Sequence, residues 1–184
     1  MNHHDMTRNM VLAALFAALT AIGAFLQIPT GTVPITLQFL FTALAGLLLG
    51  WKWGAISQLL YVGIGLLGLP VFTQGGGIGY VLQPSFGFLL GLIPAAAVIG
   101  ALTARRTGYL TVLVAVLVGD LILYAVGVPY MYLILHVYMQ SAKTFSALLA
   151  AMLVYVPGDT LKIIVVTALA PVLRRTLAKA VPNL

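Results

Sequence analysis

Charged side chains are missing from very long stretches of this chain. No Asp, Glu, Lys or Arg lies between Arg8 and Lys52, or between Lys52 and Arg105. Charged residues make up 7% of the sequence, against roughly 25% in soluble domains. Hydrophobic residues make up 62%, and the mean hydropathy is +1.12. A chain of this kind is predicted to fold inside a membrane.

The length predicts how many times the chain crosses. A helix needs about 20 apolar residues to span a hydrocarbon core of about 30 Å, so 184 residues hold about six such helices. We predict an all-α integral membrane protein, a six-helix transmembrane bundle forming one domain over residues 1–184. Prolines and glycines divide the apolar sequence. The predicted spans are 6–28, 37–50, 55–69, 86–103, 109–126 and a last one from about 143–146 to 171–175.

Two of the connections have aromatic residues that favour the membrane surface. Residues 51–54 are predicted to form a tight turn there, and residues 127–138 an aromatic segment along the interface. With six spans, residues 51–54 fall on one side of the membrane, and three long connections without Asp, Glu, Lys or Arg fall on the other: residues 29–36, 68–85 and 127–142. We expect these connections to roof a cavity that faces outward.

The positions of the basic residues predict the orientation. With six spans, seven of the nine Lys and Arg residues fall on one side, and the positive-inside rule makes that side cytoplasmic. Both termini are then cytoplasmic, in a multi-pass protein of the plasma membrane. The seven residues are Arg8, Lys52, Arg105, Arg106, Arg174, Arg175 and Lys179.

The first predicted span carries alanines at helical spacing. Small residues at such positions let another helix approach closely. The approaching helix could belong to a partner protein or to this chain's own bundle, and the pattern leaves both possibilities open. The alanines are Ala13, Ala14, Ala17, Ala18 and Ala21.

Asp159 and Lys162 are the charged residues of an otherwise uncharged apolar segment, 147–170. Three residues apart on a helix, they share one face. A charge near the centre of a bilayer costs about 2.5 to 3.5 kcal/mol, so such residues usually face a cavity and mark a functional site. The alternative is a purely structural ion pair.

Further polar groups could contribute to the same cavity. They include amides and hydroxyls, which hydrogen-bond to neutral and anionic ligand groups. Together with one acid and one base, they suit a compact ligand of vitamin size that has hydrogen-bond donors and an anionic group. These candidates are Gln38, Gln74, Tyr80, Gln83 and Ser85.

Several classes of function are disfavoured by what the sequence contains. Without cysteine there is no thiolate nucleophile or thiolate metal site, and no Walker A motif for ATP is present. His136 is the only histidine outside the extreme N-terminus, so a serine nucleophile has little prospect of a base. No metal site is predicted. The basic residues are scattered, which argues against nucleic acid as a partner.

Two other functions remain open at this point. Asp120 and Asp159 could form the relay of a proton-coupled carrier of small molecules, although two acids make a short relay. Asp159 and Lys162 could be the acid and base of an intramembrane enzyme acting on lipids, although neither a nucleophile nor a metal accompanies them. The role of Asp120 is open in either case.

A set of features along the chain matches one known family. They are the alanine-rich first span, the loop 28–36, the segment 69–72, the glycine-rich loop leading into residues 84–88, and above all the segment from Pro157 to Lys162. In these features the chain resembles the BioY family, the biotin-binding membrane subunits (S components) of energy-coupling factor transporters, over essentially its whole length.

The resemblance implies a six-helix S-component fold and high-affinity binding and uptake of biotin from outside a bacterial cell. It implies no enzymatic activity and no cofactor, because biotin is the transported ligand. The implied partners are membrane lipid, a transmembrane coupling protein and two ABC-type ATPases, and the alanine face of the first span is then the docking surface for the coupling protein.

The resemblance also gives roles to the candidate residues. Asp159 is expected to accept hydrogen bonds from the ureido N–H groups of biotin. Lys162 is expected to donate to the ureido carbonyl or to the tail carboxylate. Independently of the resemblance, residues 29–36 are expected to act as a lid, because the loop is uncharged, faces outward and contains proline and glycine at which the backbone can bend. Weaker contacts are expected from Gln74, Tyr80, Gln83 and Ser85, and weaker ones still from Gln38 and Asp120.

Overall fold

The structure, a computed structural model, describes residues 3–30, 33–105 and 108–180. Gly31 and Thr32 of the predicted lid, and Arg106 of the predicted cytoplasmic charges, lie outside the described residues, as do the side chains of Arg175 and Lys179. The helices are α1 His3–Phe25, α2 Gln38–Leu66, α3 Phe86–Leu102, α4 Tyr109–Leu133, α5 Phe145–Ala151 and α6 Val156–Ala180.

Short irregular elements connect these helices. 3₁₀ turns cover Ile78–Leu82 and Met152–Val154, and a π-helical segment, Ile134–Tyr138, extends α4. Two short strands, β1 Gln27–Ile28 and β2 Ile35–Thr36, pair antiparallel. The all-α prediction therefore holds for the bundle, but the outer loop 29–36 is bracketed by a small β-hairpin. Four of the described helices, α1, α2, α4 with its extension, and α6, are long and apolar enough to cross a membrane.

Helix α2 folds back on itself at Gly50. This residue has a φ of 76°, a conformation that glycine adopts without a steric penalty. Thr42 then donates a hydrogen bond to Gln58 across 2.9 Å, and a Cβ on Gly54 would lie 2.8 Å from the Cα of Gly46. The predicted segments 37–50 and 55–69 are thus an antiparallel pair. The reversal occurs at Gly50 itself, and residues 51–54 are already helical.

Helix α4 is longer than the sequence predicted. It continues through Pro129 to Leu133 and then into the π segment, so residues 127–138 do not form a separate interfacial segment. Burial explains the difference. A Cβ on Gly127 would lie 2.4 Å from the Phe88 ring, and Val128 and Met131 are fully enclosed, so packing against α3 outweighs the hydrogen bond that proline removes.

The last predicted span is broken in two. Helix α5 ends at Ala151, a 3₁₀ turn follows, and α6 begins at Val156. Pro157 lies in the first turn of α6, where a missing N–H costs nothing. Asp159 therefore lies in the first turn of a helix, and the prediction that it lies in the interior of a continuous span is wrong.

Close helix contacts hold the bundle together and position this end of α6. Helix α2 packs against α1 and α3, and α3 packs against α4. A Cβ on Gly46 would lie 2.5 Å from the carbonyl oxygen of Ala96. Towards the other end of α6, Arg174 donates to the carbonyl oxygens of Leu47, at 2.5 Å, and Thr103, at 3.4 Å. The guanidinium thereby ties α6 to α2 and to the end of α3.

Candidate ligand-binding site

A cavity lies where the start of α6 meets the β-hairpin, α2, α3 and α4. Its empty volume is about 620 Å³, including its solvent-open mouth. Apolar side chains form most of its walls, and polar groups lie at a few positions, as is usual for small-molecule sites. The apolar residues include Val33, Phe39, Phe88, Leu89, Leu92, Leu123 and Met152, and the polar ones are Thr36, Gln38, Thr73, Tyr80, Ser85, Tyr124, Tyr155, Asp159 and Lys162.

The predicted acid and base are paired on the α6 wall of this cavity. Lys162 Nζ lies 2.5 Å from Asp159 Oδ1, and each side chain is only 9% exposed. The other carboxylate oxygen, Oδ2, accepts a hydrogen bond from the hydroxyl of Tyr124 on α4. Both oxygens of Asp159 therefore have a partner before a ligand binds.

Lys162 also ties α6 to the β-hairpin. Its ammonium donates to the backbone carbonyl oxygen of Thr36 at 3.2 Å. An ammonium has three N–H donors, so Asp159 and Thr36 leave one donor for a ligand. The hydroxyl of Thr36 in turn donates to Gln38 at 2.8 Å, and the amide of Gln38 donates to the Tyr61 hydroxyl at 2.8 Å. This chain of hydrogen bonds fixes the position of β2.

A second polar group lines the cavity from the connection between α2 and α3. The Thr73 and Tyr80 hydroxyls are 2.9 Å apart, and the Tyr80 and Ser85 hydroxyls are 3.5 Å apart. The Tyr80 ring packs on Phe72 with a centroid separation of 4.6 Å. Tyr80 and Ser85 are both buried, so these hydroxyls are held by the fold.

The β-hairpin is fastened to the beginning of α6. The hydroxyl of Tyr155 donates to the carbonyl oxygen of Val33. The hydroxyl of Thr30 donates to the same oxygen at 2.6 Å and lies 3.1 Å from the Tyr155 hydroxyl. We call Thr30, Val33 and Tyr155 the hairpin clasp.

The structure brings most of the predicted site residues to one place. Asp159, Lys162, Gln38, Tyr80 and Ser85 line the cavity. Two others do not, since Gln74 is exposed, Gln83 is half-buried, and neither belongs to the lining.

Sequence reasoning missed two tyrosines of the site, Tyr124 and Tyr155. The second could have been found, because Tyr155, Asp159 and Lys162 follow the i, i+4, i+7 spacing of one helix face. Tyr124 lies one turn beyond Asp120 on α4. Asp120 itself does not line the cavity, and its Oδ1 atom is buried without a hydrogen-bond partner among the described residues.

The alanines of α1 differ in how far the bundle buries them. Ala13 and Ala17 are buried inside the bundle, so internal packing is the correct reading for these two. Ala14 and Ala18 are exposed and Ala21 is half-buried. The docking prediction is therefore retained for the exposed pair.

The chain is similar to known proteins over most of its length. The family model described as the BioY family matches residues 1–179. A probable biotin transporter BioY of Lysinibacillus sphaericus is 53% identical over 142 residues, which cover 76% of this chain and 72% of that protein. The biotin transporter BioY of Thermotoga maritima is 34% identical over 164 residues, covering 89% of this chain and 94% of that protein.

A solved structure has the same fold. The crystal structure of the S-component for biotin from an ECF-type ABC transporter matches with a TM-score of 0.83 and 30% sequence identity, covering 95% of each chain. The overall helical fold described above is therefore shared with that S-component.

Proposed function

The chain belongs to the BioY family, and we propose that it captures biotin in the cavity at the start of α6 for uptake by an energy-coupling factor transporter. It is a subunit of a membrane transporter and not an enzyme, so the lipid-modifying activity considered above is set aside. Biotin is its transported ligand and not a cofactor. The proton-coupled alternative has little support, because Asp120 does not line the cavity.

The observation that carries the proposal is the buried pair of Asp159 and Lys162 on the cavity wall. Biotin's ureido group offers two N–H donors and one carbonyl oxygen. A carboxylate has about four lone-pair sites, so Asp159 can accept from a ureido N–H while it keeps its bonds to Lys162 and Tyr124. The remaining N–H of Lys162 can reach the ureido carbonyl.

The rest of the cavity suits the remainder of the molecule. Phe88, Leu89 and Leu92 offer apolar contact to a thioether ring and a hydrocarbon tail. Tyr80, Ser85 and Gln38 are proposed as further hydrogen-bonding contacts because they line the cavity. Gln74 and Gln83 have no such support and stay predictions from the sequence.

We also propose six membrane crossings, with both termini in the cytoplasm of a bacterial cell. The reversal of α2 at Gly50 supports six passes, formed by α1, the two halves of α2, α3, α4 and α6. Lys52 follows this reversal, Arg105 follows α3, and Arg174 lies against Leu47 and Thr103. Basic residues thus gather at one end of the bundle, which the positive-inside rule makes cytoplasmic.

The proposed partners are a transmembrane coupling protein and two ABC-type ATPases, in addition to the surrounding lipid. Ala14 and Ala18 support a docking surface on α1, because both are small and exposed on the same helix face and permit close approach of a second helix.

Equilibrium binding of labelled biotin to the purified protein in detergent tests the function. The expected result is saturable binding of about one biotin per chain without ATP or an ion gradient, and an excess of unlabelled biotin should abolish it. A monodisperse protein that bound no biotin would contradict the proposal.

A further inference from the structure

The charges around the cavity are balanced before the ligand arrives. Among the described residues, Lys162 is the only cation that lines it, and Lys162 is paired with Asp159 at 2.5 Å. Asp120, one turn before Tyr124 on α4, is another acid and does not line the cavity. The α6 wall therefore offers no excess positive charge to an anion.

An anionic ligand group would fit poorly against this wall. A tail carboxylate would have to compete with Asp159 for Lys162. Displacing Asp159 would leave a buried carboxylate without its counter-ion, which is strongly unfavourable. A neutral ureido carbonyl can accept the third N–H of Lys162 without breaking the pair. The uncharged head of the ligand therefore belongs at α6, and the tail belongs elsewhere in the cavity.

The other polar wall has donors that carry no charge. Thr73, Tyr80 and Ser85 present hydroxyls that are linked in a row at 2.9 and 3.5 Å. Tyr80 and Ser85 are 5% and 7% exposed, so this group is part of the folded interior. A hydroxyl donates to a carboxylate and also to the carbonyl of an amide or ester, so this wall does not require a charged tail.

We propose that the hydroxyls of Thr73, Tyr80 and Ser85 hold the tail of the ligand and that binding does not depend on the tail's negative charge. The ligands of this cavity then include biotin amides and esters, whose tails are neutral. This inference rests on the proposed function, since it assigns the two ends of biotin to two walls of the same cavity.

The first test compares two ligands on the unaltered protein. Binding of biotin and of biotinamide to the purified chain in detergent is measured by calorimetry, with competition where binding is tight. We expect the two affinities to agree within tenfold. A larger loss for biotinamide would overturn the inference and leave the proposed function intact, because a cation paired with the tail would make loss of the charge cost about tenfold or more. Failure of biotin itself to bind would overturn both.

The second test identifies which end of the ligand Lys162 contacts. Lys162→Met should weaken biotin and biotinamide by the same factor, within threefold, because the head is common to both. A loss confined to biotin would mean that Lys162 pairs with the tail, and would overturn the assignment.

The third test concerns the tail wall directly and does not depend on whether Lys162→Met folds. The double variant Thr73→Val, Ser85→Ala retains similar side-chain volumes but removes two hydroxyls of the tail wall. We expect both ligands to lose threefold or more in affinity. Unchanged affinity for both in a monodisperse double variant would overturn the role of the hydroxyls.

Discussion

At the cavity wall, Asp159 is held in place from two sides. Lys162 contacts Oδ1 and the Tyr124 hydroxyl donates to Oδ2. Lys162 is itself held by the Thr36 carbonyl oxygen. Side chains that are already oriented lose little freedom when a ligand binds, and such preorganisation favours high affinity. In addition to its proposed role in binding, the pair therefore links α6, α4 and the hairpin.

Asp159→Asn tests the binding role of this carboxylate. The amide presents a donor where the ureido N–H needs an acceptor, and it leaves Lys162 without its counter-ion. Losing one partner of a buried ionic pair is strongly destabilising, so we expect biotin binding to weaken by about 2 kcal/mol or more, about thirtyfold. Labelled-biotin binding to monodisperse protein measures this loss.

A matched control is Asp5→Asn. Asp5 pairs with Arg8 at 3.5 Å and is 35% exposed, and an ion pair of this kind contributes little, so binding should not change. If the Asp159 and Lys162 pair were purely structural, Asp159→Asn would reduce the yield of folded protein, while the folded fraction would bind normally. Wild-type affinity in a well-folded Asp159→Asn protein would contradict the site assignment.

The sequence could predict this pair because charge is so rare in the chain. It could not predict Tyr124, because that contact joins residues 35 positions apart and depends on how α4 packs against α6. A tyrosine in an apolar helix also gives no signal of its own. Gln74 and Gln83 had the right chemistry, but the turns around Ile78–Leu82 decide which side chains of that connection face the cavity, and composition does not specify those turns.

Among the elements, the β-hairpin lines the cavity and contacts the start of α6, as the proposed lid would. Val33 and Thr36 line the cavity, and the hairpin clasp fastens the same segment to Tyr155. A lid that closes over a ligand has to open before the ligand leaves. The clasp is therefore expected to control how long biotin stays bound.

Tyr155→Phe tests this role by removing one hydroxyl and keeping the ring. A hydrogen bond of this kind contributes about 1 kcal/mol, so we expect biotin to dissociate roughly fivefold faster. Dissociation is followed by chasing labelled biotin with unlabelled biotin. Tyr138→Phe, at a tyrosine that is 59% exposed and does not line the cavity, is the control. Equal dissociation rates in both variants and the wild type would rule out the clasp as the closing contact.

Close packing of α3 against the reversal of α2 gives a prediction for stability. A Cβ on Gly100 would lie 2.3 Å from Trp51 N and 2.5 Å from the Gly50 carbonyl carbon, whereas a Cβ on Gly63 would meet nothing within 4 Å. Gly100→Ala should therefore lower the free energy of unfolding by about 1 to 3 kcal/mol. Gly63→Ala should leave it unchanged or slightly raised, because alanine favours helix.

Thermal unfolding of the two alanine variants in detergent measures this difference. Equal unfolding temperatures would mean that α3 does not rest on the backbone at Gly50 as described. Both substitutions lie outside the cavity lining. Folded protein of either variant should therefore bind biotin as the wild type does.

The helix boundaries were predicted well where the local sequence breaks the helix, and poorly where packing between helices determines the boundary. The separation of the two halves of α2 followed from the composition around Gly50. The continuation of α4 past Pro129 did not, because it depends on Phe88 filling the space beside Gly127. The break before α6 was also missed, although Pro157 at the first turn of a helix is a known pattern.

At the scale of the whole molecule, the cavity and Arg174 lie towards opposite ends of α6. Large apolar side chains are exposed on the outside, including Leu67 at 84%, Leu110 at 73% and Leu121 at 68%, as expected of a surface that faces lipid. On α1, the small residues Ala14 and Ala18 interrupt this apolar surface. A partner helix can approach there more closely than a lipid-facing leucine would allow.

The double variant Ala14→Trp, Ala18→Trp tests this surface as the docking site for the coupling protein. Two indoles would hold a partner helix away from α1, so the variant should no longer co-purify with the coupling protein and should lose biotin uptake in cells. Biotin binding to the isolated subunit should persist, because neither alanine lines the cavity.

The control is the double variant Leu121→Trp, Ala125→Trp. It places the same indoles on exposed positions of α4 and should leave both co-purification and uptake intact. Normal uptake by the α1 variant would exclude Ala14 and Ala18 from the docking surface, while equal loss in both variants would point to a general effect of bulk on insertion into the membrane.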